Sequence, residues 1–151
     1  QAGLWPHGIS GDLPILLVRV IGDDDVALVR QVLQAQEYWR LKGLSADVVI
    51  VNEDPSSYLD EVHAQLTALL DNGPWRMWKH RSGGAYLLRG DLIGKVNGTL
   101  IAAVARVVVL LVALERSPYG EAGSEARTVR LACGMGMSNS LTRRGRAASG
   151  A

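Results

Sequence analysis

By residue type and spacing, the chemistry open to this sequence lies in two short acidic clusters, Asp23-Asp24-Asp25 and Asn52-Glu53-Asp54. Each follows a short apolar run, Ile15 to Val20 or Val48 to Val51, and open α/β sheets bind ligands beyond the carboxyl ends of their strands. Asp23, Asp24 and Asp54 could offer oxygen ligands to a divalent cation, as a metal-dependent phosphotransfer or hydrolytic domain would need. Against this, both clusters sit where helices begin, and carboxylates there satisfy unpaired amides and the helix dipole. Capping alone explains them, and it is the favoured reading.

Other signatures fail on spacing. Gly22-Asp23-Asp24-Asp25 lacks the G-x-G-x-x-G of dinucleotide folds, and three carboxylates repel a pyrophosphate. Gly8-x-Ser10-x-Asp12 precedes its strand, whereas a nucleophile elbow follows one. His7, His63 and His80 have no metal-type spacing, and Cys133 stands alone. No cofactor is implied. Trp75 and Trp78, with Lys79 and Arg81, could stack on a sugar or a base. Folding of those rings back onto the sheet is the commoner outcome.

The elements that must position these residues follow from periodicity. Gly3 to Pro14 is an irregular lead-in, rich in Gly and Pro. Ile15 to Val20 and Ala46 to Val51 are short runs without alternation, as in strands covered on both faces. Between them Leu28, Val32, Ala35 and Trp39, flanked by Val29 and Leu33, form a helical stripe ended by Gly43. Leu59, Val62, Leu66, Leu69 and Leu70 stripe a second helix, stopped by Asn72-Gly73-Pro74. A basic aromatic loop, Trp75 to Arg81, leads to a third strand over Ala85 to Arg89. A last helix is predicted, with its most secure part from Leu100 to Leu114. The expected fold is α/β: a small, open, mainly parallel three-stranded sheet in βαβαβα order, with helices packed on it.

Composition sets the limits. A chain of 151 residues with 48% hydrophobic and 21% charged residues is an ordinary globular protein. Residues 115–151 carry six Arg and three Glu, which leaves 1–114 at −2 and argues against nucleic acid as partner. One cysteine allows no internal disulfide. The chain starts at Gln1 with no leader-like segment, and so reads as a processed chain or a fragment. Leu100 to Leu114 is too short to span a bilayer, which needs about 20 apolar residues. Residues 1–114 read as one α/β segment, and 115–151, rich in Gly, Ser, Ala and Arg, as a disordered and non-native tail.

GLWPHGISGDLPILLVRV, followed by LVRQVLQAQEYWRLKGLSADVVIVNED and Ser57-Tyr58, resembles the bacterial cyclic β-1,2-glucan synthases. It is similar to part of their C-terminal, phosphorylase-like region of glycoside hydrolase family 94, formerly glycosyltransferase family 36. GGAYLLRGDLI is similar to that family's glycine-led strand followed by an acidic residue, and Val104-Ala105-Arg106-Val107-Val108 resembles its next helix. The likeness covers about 110 residues, dense up to Gly73 and looser after it. Trp75-Arg76-Met77-Trp78-Lys79-His80 departs from the family pattern. So does the tail, where a further sandwich domain is expected, and this suggests a truncated or frame-shifted remnant.

The resemblance implies a parent enzyme at the cytoplasmic face of the bacterial inner membrane. That enzyme builds β-1,2-glucan from UDP-glucose, closes it into a ring and adjusts its chain length. No catalytic residue of the family falls on this sequence. The expectation is a non-catalytic segment that braces neighbouring β-sandwich and barrel domains. β-1,2-Glucan is a candidate contact through Trp5, His7, Asp12, Asn52 and Glu53, with no nucleic acid and no direct membrane contact.

Overall fold

The computed structural model describes residues 3–53, 59–113, 127–133 and 137–142. Strand β1 (Ile15–Val20), helix α1 (Asp25–Leu41), strand β2 (Asp47–Asn52), helix α2 (Leu59–Asn72), strand β3 (Ala85–Arg89) and helix α3 (Gly90–Val104) come first. Strands β4 (Val107–Ala113), β5 (Arg127–Cys133) and β6 (Met137–Thr142) follow. They form a single sheet in the order β3-β2-β1-β4-β5-β6. The first four strands are parallel, while β5 and β6 add antiparallel pairs at the β4 edge.

Both faces of the parallel part are covered, which is why its strands read as unbroken apolar runs. On one face Leu28, Val29 and Leu33 of α1 and Val62, Leu66 and Leu70 of α2 pack on Val18, Val20, Val48, Ile50 and Leu87. On the other, Ile93 and Ile101 of α3 join Leu4 and Ile9 of the lead-in over Leu17, Val49, Val51, Tyr86 and Leu88. The lead-in is therefore anchored to the sheet by two fully buried side chains. Short 3₁₀ turns at Trp5–His7 and Pro74–Trp78 join these layers to the loops. Among the described residues no helix is long and apolar enough to cross a membrane.

Three expectations need correction. The helix predicted through Leu114 ends at Val104, and Val107–Ala113 is strand β4, parallel to β1. Its run of valines is β-branched and fits a strand. The backbone turns extended at Ala105, and the Arg106 amide donates to the Ile15 carbonyl. The described sheet thus has six strands, four of them parallel. Within the segment expected to lack order, 127–133 and 137–142 pair as β5 and β6. Residues 114–126 and 143–151 lie outside the described residues.

The third correction concerns the rotation of α1. The predicted Leu28, Val29 and Leu33 are buried and Val32 and Trp39 pack half-buried against the same core, but the buried line of the helix is centred nearer Leu33 and also takes in Gln36. Gln36 explains the difference. Its Nε2 donates to the carbonyls of Ala46 (2.9 Å), Gly84 (2.8 Å) and Gly83 (3.3 Å), where β2 and β3 begin. A buried amide that bridges these carbonyls outweighs a tidier apolar stripe, because leaving the buried side-chain amide without acceptors would cost about 1–3 kcal/mol.

Glycine choice follows the same packing. A Cβ at Gly84 would lie 1.8 Å from the Trp78 carbonyl oxygen, while one at Gly98 of α3 meets nothing within 4 Å. Gly84→Ala and Gln36→Leu should each lower the unfolding free energy by roughly 2–3 kcal/mol in urea titrations. Gly98→Ala should raise it by about 0.5–1 kcal/mol. Equal effects of the two glycine substitutions would contradict this packing.

Candidate functional site

In a sheet of order 3-2-1-4 the chain reverses direction between β1 and β4, and the crevice beyond their carboxyl ends is where such folds bind ligands. On the β1 side this crevice is lined by Ile21 to Asp24. Asp25 is buried, and its Oδ2 accepts from the amides of Ile21 (2.7 Å) and Gly22 (3.2 Å). A carboxylate of the protein thus holds the loop amides that could otherwise face a phosphate. Asp24 is the N-cap residue of α1 but makes no side-chain cap bond, and Asp23 Oδ1 accepts from the Asp24 amide at 2.9 Å. The expected cap is therefore a loop clamp made by Asp25.

The second acidic cluster is engaged as well. Glu53 Oε2 accepts from Arg19 Nε at 2.9 Å and from Arg19 Nη2, across the ends of β1 and β2. The pair raises the Arg19 pKa through that hydrogen bond, opposed by burial. Asn52 is fully buried. A Cβ at Gly90 would lie 2.8 Å from the Asn52 carbonyl oxygen and 3.2 Å from Glu53 Cγ, so the start of α3 closes against this corner. Asp91 chelates Arg89 at 3.0 and 3.2 Å, which lowers its own pKa. Among the described residues no three His, Cys, Asp or Glu side chains come together to hold a metal. Asp54 lies outside the described residues, so the grouping of Asp23, Asp24 and Asp54 cannot be placed.

The carbohydrate candidates lie on two parts of the chain, the lead-in and the carboxyl end of β2. Trp5 is 64% exposed on the first 3₁₀ turn. His7 on the same turn is half-buried, with Nε2 shielded and without a hydrogen-bond partner. Asp12 is exposed near the amino ends of the strands, and its amide donates to Ser10 Oγ at 3.3 Å. Asn52 and Glu53 close the carboxyl end of β2, about 16 Å of strand away at 3.3 Å per residue. Trp5 and Asp12 are thus exposed, His7 and Glu53 half-buried, and Asn52 buried.

Two polar residues escaped the sequence reading. Gln36 falls at i+7 from Val29 and i+3 from Leu33, so a polar residue on an apolar line was the available signal. Asp47 opens β2, is fully buried, and accepts from the Gly83 amide at 2.7 Å through Oδ1. Its Oδ2 is shielded with no partner. Burial raises its pKa, partly offset by the Gly83 bond and reinforced by Asp12. Tyr86 alongside is raised too, by burial and then by Asp47.

A raised native pKa means that the folded protein holds this proton more tightly than the unfolded chain does. The contribution favours folding below the ordinary value of 3.8 and is lost as pH rises through the native value. Asp47→Asn should therefore gain stability relative to wild type as pH rises from 3.8 towards neutrality, read from urea midpoints at a series of pH values. A pH-independent difference between the two proteins would contradict the assignment.

No protein-family model matches the sequence. A stretch of 72 residues, 48% of the chain, is 44% identical to the cyclic β-(1,2)-glucan synthase NdvB of Rhizobium meliloti (strain 1021). The match spans only 2% of that protein's length. The chain thus carries a segment related to a small part of a cyclic β-(1,2)-glucan synthase.

Proposed function

We propose that this chain is a structural α/β segment of a glucan-synthesising enzyme of the cyclic β-1,2-glucan synthase kind, from its phosphorylase-like glycoside hydrolase family 94 region. The 44% identity over 72 residues is the observation that carries the relation to such a synthase, while the family 94 placement rests on the resemblance of the first strands and helix. The geometry of the carboxyl end supports a bracing role over a catalytic one. Asp25 is spent on loop amides and Glu53 on Arg19, so neither is poised for proton transfer or nucleophilic attack.

In this reading the segment holds neighbouring β-sandwich and barrel domains in register, and the parent enzyme works at the inner membrane. Contact with β-1,2-glucan falls to the lead-in, where exposed Trp5 offers a ring face to a sugar and Asp12 an acceptor for its hydroxyls.

The purified chain should show neither phosphorolysis nor glucosyl transfer with β-1,2-gluco-oligosaccharides, assayed as phosphate-dependent release of glucose 1-phosphate and as transfer from UDP-glucose. Those oligosaccharides should bind weakly by calorimetry, with affinity falling at least about five-fold in Trp5→Ala. Turnover by the chain alone would overturn the non-catalytic role, while unchanged affinity in Trp5→Ala would remove only the sugar contact.

A further inference from the structure

Two segments at the amino end of the sheet share one pattern. At the end of α1, Leu41 stands between Arg40 and Lys42; in the turn after α2, Met77 stands between Arg76 and Trp78-Lys79. Leu41 is 80% exposed and Met77 is 73% exposed. Leu44 and Tyr38 extend the apolar surface of the first segment, and exposed His80 and Arg81 continue the second. The segments meet where the Arg40 guanidinium lies 4.1 Å over the Trp78 ring.

Charge is concentrated there. Arg40, Lys42, Arg76, Lys79 and Arg81 are five of the ten Lys and Arg residues in 1–114, whereas Glu37 and Asp71 are two of its twelve Asp and Glu residues. Asp71 is taken up by Lys79 at 2.7 Å. Asp12 and Asp47 lie at the same end of the sheet, with Asp47 buried. A body with net negative charge thus carries one cationic surface, studded with apolar tips.

We propose that this surface seats on an anionic lipid headgroup layer, with Leu41 and Met77 entering the interface and the exposed Lys42, Arg76 and Arg81 meeting lipid phosphates. Apolar tips bracketed by Arg and Lys suit such a layer, because long cationic side chains bury their stems and keep their heads at the phosphates. A protein partner fits less well. Enclosing Leu41 and Met77 would carry four flanking cations into an interface core, where charged residues are depleted. Nucleic acid fits less well again, since the Trp78 face that a base would stack on already carries Arg40. This departs from the sequence-based expectation of no direct membrane contact, and it does not depend on the proposed enzyme parentage.

The full chain is sedimented with vesicles of phosphatidylcholine containing phosphatidylglycerol, and with vesicles of phosphatidylcholine alone. Binding is expected only to the anionic vesicles and should weaken as salt rises. Arg76→Glu with Arg81→Glu should cut partitioning by more than about 20-fold, at about five-fold per cation lost. Leu41→Ser with Met77→Ser should cut it by about 10-fold with the charge unchanged. All four side chains are exposed, so both variants should keep the wild-type melting temperature. Equal sedimentation with the two vesicle types, or charge reversal without effect, overturns the proposal. Tighter binding to a single-stranded oligonucleotide, or self-association in place of vesicle binding, overturns it as well.

Discussion

The side-chain amide of Gln36 is the constraint on which most of this fold's amino end depends. Strands β2 and β3 begin side by side, and the carbonyls of Ala46, Gly83 and Gly84 point into the gap between them and α1. The Gly84 carbonyl also accepts from the Val48 amide at 2.9 Å, while Gln36 is the donor that reaches the half-buried carbonyls of Ala46 and Gly83 as well. A glutamine on the buried line of α1 supplies the donor and thereby fixes the rotation of the helix. The entry of β3 is fixed in turn, since Gly84 must lie against the Trp78 carbonyl where no Cβ fits. Trp78 is then brought beneath Arg40. The helix stripe, the strand register and the aromatic turn are consequences of one buried polar contact.

The carboxyl end of the sheet shows the opposite use of polarity. Arg19 with Glu53 and Arg89 with Asp91 are partly exposed pairs, and such pairs contribute at most about 1 kcal/mol each. Their importance is positional: Arg19 ties the end of β1 to the residue that follows β2, and Arg89 ties the end of β3 to the first turn of α3. Asp25 does the same with two loop amides, and Gly90 lets α3 start in contact with the end of β2. Groups that in another α/β protein would reach for a ligand here reach for the backbone and for one another.

The parallel core was legible in the sequence because its cause is local. Ile15 to Val20 and Ala46 to Val51 announce buried strands by their unbroken apolar character, and Leu59 to Leu70 announces a helix by its period. Val107 to Ala113 was misread because a short apolar run does not distinguish a buried strand from a buried helix. What decided it was the vacancy beside β1 in the sheet, a tertiary fact that periodicity does not encode. The Asp-rich turn was legible as structural but not in detail: spacing pointed to a helix cap, whereas the bonds run backward from Asp25 to Ile21 and Gly22. The lead-in carried no catalytic spacing, and only its buried Leu4 and Ile9 reveal why Gly-rich and Pro-rich sequence is held in place.

The same dipole rule connects the two ends of the molecule. Helix α1 runs from the carboxyl end of the sheet, where Asp25 sits in its first turn, to the amino end, where Arg40 sits in its last. Each charge lies where the helix dipole favours it, worth about 0.3–1 kcal/mol at an exposed terminus. Because α1 spans the sheet, its own acidic start and basic end lie at opposite ends of the sheet. The cationic end is also where Trp78 and Tyr38 each lie under a cation, Arg40 and Lys42 respectively. Those contacts hold the cationic heads beside the exposed Leu41 and Met77 instead of letting them spread into solvent. A helix laid down to cover the sheet thereby also orients it, with its self-satisfied acidic end facing one way and its cationic, apolar-tipped end facing the other.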